Sequence, residues 1–142
     1  MPAKAQAEWK GDLKSGSGTF SAGDGGVSGE FSFKSRFEDG PGANPEQLIG
    51  AAHAACFSMA LSAGLEEAGH PVDSVQTNAT VTLRIVDDAP TITKIELVTV
   101  GTVPGIDQAA FEEAANGAKA NCPVSKALAG VSDITLQATL ES

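Results

Sequence analysis

The chain has 142 residues, 42% hydrophobic and 19% charged, which is enough to bury a core as one domain over residues 1–142 without staples. Its formal net charge of −9 argues against nucleic acid and anionic membrane surfaces as partners, and by itself names no partner. Met1-Pro2-Ala3-Lys4 leads into polar alternation instead of an apolar run, so no signal peptide is expected and a reducing cytoplasm is the default setting.

Ala5, Ala7 and Trp9 alternate with charged or polar neighbours and predict a first strand. Gly16 to Gly29 holds six glycines among small polar residues, which predicts turns within a hairpin. These glycines neither follow a hydrophobic strand nor end in Gly-Lys-Ser/Thr, so a phosphate-binding loop is excluded. Phe31, Phe33, Ser35 and Phe37 share one face of a predicted strand, with Ser32, Lys34 and Arg36 on the other. Glu38-Asp39-Gly40-Pro41-Gly42 breaks the sheet. Asn44-Pro45-Glu46-Gln47 then opens a helix: Asn44 caps it, Pro45 suits its first position and Gln47 can complete a capping box. The helix is expected to reach about Ala68 and stop at Gly69, with Pro71 beyond.

Within it, Gln47 to Leu65 is 19 residues without a formal charge, close to the length that spans a bilayer. Small residues dominate it, His53 falls inside it, and its flanks Glu46 and Glu66-Glu67 are acidic. A helix buried on most sides of a globular core is therefore expected, not a membrane span.

The clearest strand follows. Val75, Thr77, Ala79, Val81, Leu83 and Ile85 lie on one face, and Asp87-Asp88-Ala89-Pro90 turns the chain into an antiparallel partner over Thr91 to Val100. Asp107 caps a second helix, roughly Gln108 to Ala120; Asn121-Cys122-Pro123 interrupts it, and a short helix continues to about Ala129. Ile134, Leu136, Ala138 and Leu140 alternate in a last strand. Strands, helix, strands, helix, strand reads as α+β.

The chain has two cysteines, Cys56 and Cys122, too far apart in sequence for a C-x-x-C motif and without the companion ligands of a zinc site. They are either two inert core thiols or a pair that meets in space and does redox chemistry. A thiol reacts as its thiolate, which needs a cationic or dipolar environment. Cys56 sits about three turns inside its helix, beyond useful reach of the dipole, so it needs a cation from elsewhere. Arg36 precedes the turn before this helix, and Glu46 in its first turn could fix the guanidinium through a bidentate pair. The plain alternative is that Arg36 and Glu46 are solvated and Cys56 is packing. Cys122 adjoins the start of the short helix after Pro123, where free N–H groups favour a thiolate, so local sequence nominates it as the more acidic thiol. His53, one turn before Cys56, could form a Cys–His pair, although a histidine on an apolar helix is more often hydrogen-bonded structure. His70, beside Gly69 and Pro71, reads as a loop residue.

The run Gly42-Ala43-Asn44-Pro45-Glu46-Gln47-Leu48-Ile49-Gly50-Ala51-Ala52-His53-Ala54-Ala55-Cys56-Phe57-Ser58-Met59-Ala60-Leu61 strongly resembles the signature of the OsmC/Ohr family, and its wording is nearest the osmotically inducible protein C branch. Ala118-Lys119-Ala120-Asn121-Cys122-Pro123-Val124-Ser125 resembles that family's second-cysteine segment. Trp9-Lys10-Gly11-Asp12 and Val103-Pro104-Gly105-Ile106-Asp107 also match, so the resemblance covers essentially the whole chain. One departure is Ala43, where many members have threonine; it removes no reacting group.

The resemblance implies a fold of antiparallel sheets around long central helices, assembled as an intertwined homodimer. It implies a thiol-dependent peroxidase for organic hydroperoxides, acting in oxidative or osmotic stress defence, with no metal, flavin or haem cofactor. Cys56 maps onto the attacking cysteine, Cys122 onto the resolving one, and Arg36 and Glu46 onto the family's arginine and glutamate. The family's order of roles is followed over the local ranking of the thiols, because a desolvated Arg36–Cys56 contact, if formed, could outweigh a terminal dipole worth ~0.3–1 kcal/mol. A Cys56 sulfenic acid would condense with Cys122 to a disulfide, reduced by an external dithiol such as a lipoyl group on a carrier protein. Apolar residues such as Phe57 and Met59 would favour organic over hydrogen peroxide. Two rivals remain: a non-enzymatic binder of lipid-like ligands with its cysteines as core, and a redox sensor that forms the disulfide but turns over poorly.

Overall fold

Glycines lying under aromatic rings build the first sheet. In the computed structural model, which describes residues 1–141, β1 (Ala5–Lys10), β2 (Ser17–Ala22) and β3 (Val27–Phe31) form an antiparallel meander in that order. Gly18 on β2 is in register with Trp9 on one side and Phe31 on the other, and the two rings, with centroids 5.5 Å apart, close over it. A Cβ at Gly18 would fall 2.5 Å from the Phe31 ring and 2.8 Å from Trp9, so only glycine admits both rings. The expected hairpin is therefore present, and part of its glycine-rich stretch is strand.

The alternation Phe31, Phe33, Ser35, Phe37 does not continue as a strand. The Ser32 hydroxyl accepts from the Ser35 N–H at 3.1 Å and the Ser35 hydroxyl accepts from the Ser32 N–H at 2.8 Å. This reciprocal capping box starts a single helical turn, α1 (Phe33–Phe37). Phe33 and Phe37, four apart, then stack with centroids 5.0 Å apart. Arg36 thus projects from a helical turn and not from the polar face of a strand.

α2 (Pro45–Glu67) begins as expected: Asn44 Oδ1 accepts from the Gln47 N–H at 2.8 Å. It ends in a Schellman motif, His70 N–H to Leu65 C=O at 2.8 Å and Gly69 N–H to Glu66 C=O at 3.0 Å, with Gly69 at φ +90°. Burial follows one stripe of this helix: Gly50, His53, Phe57, Leu61 and Leu65. The opposite face, including Ala51, Ala55 and Met59, is exposed, so the helix is not enclosed on most sides.

The chain divides into two compact units, Met1–Leu48 and Ile49 onward. In the second, β4 (Ser74–Val86) and β5 (Ala89–Thr102) form the expected antiparallel hairpin, turned by Asp87 and Asp88 at φ 51° and 64°. Asp107 Oδ1 accepts from the Ala110 N–H at 2.9 Å and caps α3 (Gln108–Asn121); α4 (Pro123–Ala127) follows. β6 (Ile134–Glu141) joins β5 in parallel, a departure from the antiparallel pairing expected of the sheets. The helices α3 and α4 supply the crossover that a parallel pair needs. Phe57, Leu61 and Leu65 of α2 meet Ile95 and Leu97 of β5 and Phe111, Ala115 and Ala118 of α3 in the buried core of this unit.

Candidate active site

The four residues singled out from the sequence fall into two pairs. In the first unit, Arg36 Nε donates to Glu46 Oε1 at 3.0 Å, bringing α1 to the first turn of α2. It is one hydrogen bond and not the bidentate fork expected, since Glu46 Oε2 is buried without a partner. Glu46 is only 7% exposed, so this carboxylate is held out of water by a cation that remains half-exposed. Such an arrangement fixes the guanidinium while leaving its other N–H groups available.

Arg36 also lines an apolar cavity of about 240 Å³ with Trp9, Leu13, Phe31, Phe33 and Phe37. Its guanidinium carbon lies 5.5 Å from the Phe37 ring centroid. The sequence reading missed this cavity because α1 was taken for strand. Of Phe57 and Met59, expected among the apolar residues around the Cys56 thiol, Phe57 is sealed in the core and Met59 is 75% exposed.

In the second unit, Cys56 and Cys122 meet. Both are free thiols, Cys56 half-buried on α2 and Cys122 buried between α3 and α4. Cys122 serves both helices, as C-cap of α3 and N-cap of α4, with an extended backbone at φ −64°, ψ 139°. Pro123 enforces that break. The start of α4 then addresses the Cys122 sulfur: the Ser125 N–H donates to Cys122 Sγ at 3.3 Å. Burial pushes the Cys56 thiol up from its ordinary value, the Val124 N–H pulls it down, and hydrogen bonding with and repulsion from Cys122 raise it further.

Two residues extend the thiol pair. The Cys122 thiol donates to Ser125 Oγ at 3.0 Å, and Ser125 Oγ lies 2.7 Å from His53 Nε2. His53 is hydrogen-bonded, as expected of a histidine on an apolar helix, but its partner is on α4 and not Cys56. Ser125 escaped the sequence reading; its signal is its place three residues after the capping Cys122. His70 has no part in this cluster. Among the described residues, no three His, Cys, Asp or Glu side chains converge where a metal could bind.

Two free thiols brought into contact by a helix and a capped helix break, on an α+β scaffold, define a thiol-based redox protein. Residues 38–137 match the family model described as OsmC-like protein. Peroxiredoxin OsmC of Escherichia coli K12 is 50% identical over 140 residues, covering 98% of this chain and 96% of that one. Organic hydroperoxide resistance protein OhrB of Bacillus subtilis is 35% identical over 96 residues, 68% of this chain and 69% of that one. The crystal structure of OhrB superposes with a TM-score of 0.68 over 97% of this chain and 98% of that chain. The organic hydroperoxide resistance protein OsmC of Legionella pneumophila, 21% identical, shares the fold with a TM-score of 0.71 over 98% of this chain and 97% of that one. The chain belongs to the OsmC-like family and is a cysteine-based peroxidase.

Proposed function

We propose that the protein reduces organic hydroperoxides to alcohols, with Cys56 as the attacking thiol and Cys122 as the resolving one. The Cys56 thiolate takes the outer peroxide oxygen; the O–O bond breaks, and the alkoxide leaves as the alcohol after gaining a proton. The resulting Cys56 sulfenic acid is attacked by Cys122, water leaves, and a disulfide forms. A dithiol, taken to be a lipoyl group on a carrier protein, exchanges through a mixed disulfide and restores both thiols.

The observation that carries this reading is the contact between two free thiols so distant in sequence, one of which receives a backbone N–H from the start of α4. Arg36, steadied by Glu46, is assigned the cation that keeps Cys56 ionised against the pull of burial. The apolar walls around Arg36 suit an alkyl or aryl substituent and give hydrogen peroxide nothing to bury. The names of the relatives, a peroxiredoxin and an organic hydroperoxide resistance protein, support the same substrate class. The working form is taken to be a cytoplasmic homodimer.

The test is consumption of cumene hydroperoxide against hydrogen peroxide, with a lipoyl dithiol as reductant, in wild type, Cys56→Ser and Cys122→Ser. Cys56→Ser is expected to abolish turnover, and Cys122→Ser to permit one oxidation per chain without a disulfide. A wild type that neither consumes organic peroxide nor forms the disulfide would replace this reading with a non-enzymatic binder. Disulfide formation without turnover would point to a sensor.

A further inference from the structure

His53 is completely buried on α2, and neither the attack by Cys56 nor the closure of the disulfide gives it a task by itself. A histidine in that position could serve packing alone, yet its one partner is itself tied to a reacting atom. His53 Nε2 lies 2.7 Å from Ser125 Oγ, and Ser125 Oγ lies 3.0 Å from Cys122 Sγ, with Ser125 7% and Cys122 1% exposed. The three groups form a dry line from thiol to hydroxyl to imidazole. Its polarity is set at the sulfur end: the Cys122 thiol donates to Oγ, which leaves the Ser125 proton free to point at Nε2. His53 Nδ1 has no hydrogen-bond partner, so no second group locks the ring in the opposite tautomer. Burial holds His53 below its ordinary value, so the ring rests neutral with Nε2 able to accept the Ser125 hydrogen bond, and any imidazolium formed there gives its proton back readily.

We propose that Ser125 and His53 form a proton relay for Cys122 in the resolving step, Ser125 as a catalytic residue touching the sulfur and His53 as a positioning residue acting through it. The inference rests on the reading of Cys56 and Cys122 as attacking and resolving thiols. As Cys122 Sγ attacks the Cys56 sulfenic sulfur, the S–S bond forms and the S–O bond breaks. The thiol proton passes to Ser125 Oγ while the hydroxyl proton passes to His53 Nε2. The displaced hydroxide takes a proton from Ser125 Oγ, Ser125 recovers one from the imidazolium, and water leaves with His53 neutral again. The Cys122 sulfur is oxidised by one electron equivalent and the Cys56 sulfur reduced by one, so no further oxidant is required. Cys122 lies where bulk water cannot serve as base, which gives an internal acceptor its purpose.

The experiment separates the two half-reactions. Wild type, Ser125→Ala and His53→Gln are mixed rapidly with one equivalent of cumene hydroperoxide. Cys56 sulfenic acid is trapped with dimedone, and disulfide formation is followed by quenched mass spectrometry. Glutamine keeps a hydrogen bond to Ser125 but cannot take a proton, and Ser125→Ala removes one atom, so at least one variant should retain the fold. Oxidation of Cys56 is expected to be unchanged, while disulfide formation slows by about 10²-fold in each variant, in the range usual for losing a positioned base. A solvent deuterium isotope effect on the wild-type disulfide step should vanish in Ser125→Ala. Disulfide formation at the wild-type rate in either folded variant, or equal slowing of both half-reactions, overturns the relay. Failure of the wild type to oxidise Cys56 at all would instead sink the peroxidase reading on which the relay rests.

Discussion

Cys56 is chemically awkward: burial and a neighbouring thiol both push it up, and the Val124 N–H opposes them only in part. A fast nucleophile there needs a positive charge, the role proposed for the Arg36 guanidinium, which is itself anchored by a buried carboxylate. Arg36→Ala in a Cys122→Ser background should therefore move the pH midpoint of Cys56 alkylation by iodoacetamide upward. It should also cut the peroxide rate near neutral pH by about tenfold or more, because only the thiolate attacks. An unmoved midpoint would remove Arg36 from the site. His53 gives a separate, oppositely signed signal. Its folded-state value lies below the ordinary 6.5, so below that pH the unfolded chain binds a proton that the folded chain refuses. The stability His53 contributes is present above 6.5 and is lost as pH falls towards its depressed folded value. Urea midpoints compared at pH 7.5 and 5.5 should fall further in wild type than in His53→Gln. At this scale the sequence exposed the Arg36–Glu46 pair and both thiols, since charged and sulfur-bearing side chains declare their chemistry. Ser125 did not stand out, because a hydroxyl in a helix's first turn looks the same whether it caps or relays.

Elements were legible where a local rule decided them and illegible where a neighbour did. The Asn44, Asp107 and Gly69 signals each produced the helix end they predicted, through hydrogen bonds within a few residues. Phe31 to Phe37 misled because alternation of aromatics scores as strand, while the Ser32–Ser35 capping box, a weaker pattern, set the backbone. The direction of β6 was hidden for another reason: a strand after two helices has the same alternation whether it pairs parallel or antiparallel. The same dependence on neighbours governs the glycines. Gly101 on β5 lies directly beneath Phe111 of α3, whose ring atoms would be 2.5 Å from an added Cβ. Phe111 is fully buried and cannot swing aside without opening the core. Gly101→Ala should therefore destabilise by about 1–3 kcal/mol, the usual cost of overpacking. The loss should appear as a lower urea midpoint with an unchanged slope. Gly117, with nothing near its Cβ position, is the control: alanine there, inside α3, should stabilise by roughly 0.5–1 kcal/mol.

At the scale of the whole molecule, α2 poses a question of solvent. An 18-residue window has mean hydropathy 1.6, enough by length and composition to cross a membrane, yet only 28% of that window is buried in the single chain. Sequence could not foresee which face the core would take, because a helix that is small and apolar all round offers no stripe to read. The folded chain resolves one side, packing Phe57, Leu61 and Leu65 into the core and leaving Leu48 and Met59 at 36% and 75% exposure. A second copy covering that face fits the acidic, buried Glu46 and the hydrogen-bonded His53 better than lipid would, since both lie on the same helix. The 14.3 kDa chain is therefore expected to sediment as a dimer at micromolar concentration, without detergent. Met59→Glu sets a charge on the exposed face while leaving the Cys56–Cys122 contact and the core stripe untouched, so it should weaken the dimer without unfolding the chain. A wild type that sediments as a monomer, or a Met59→Glu variant as dimeric as wild type, would remove this face from the interface. Loss of peroxidase activity in step with dissociation would tie the assembly to the chemistry, whereas full activity in a monomer would confine the reaction to one chain.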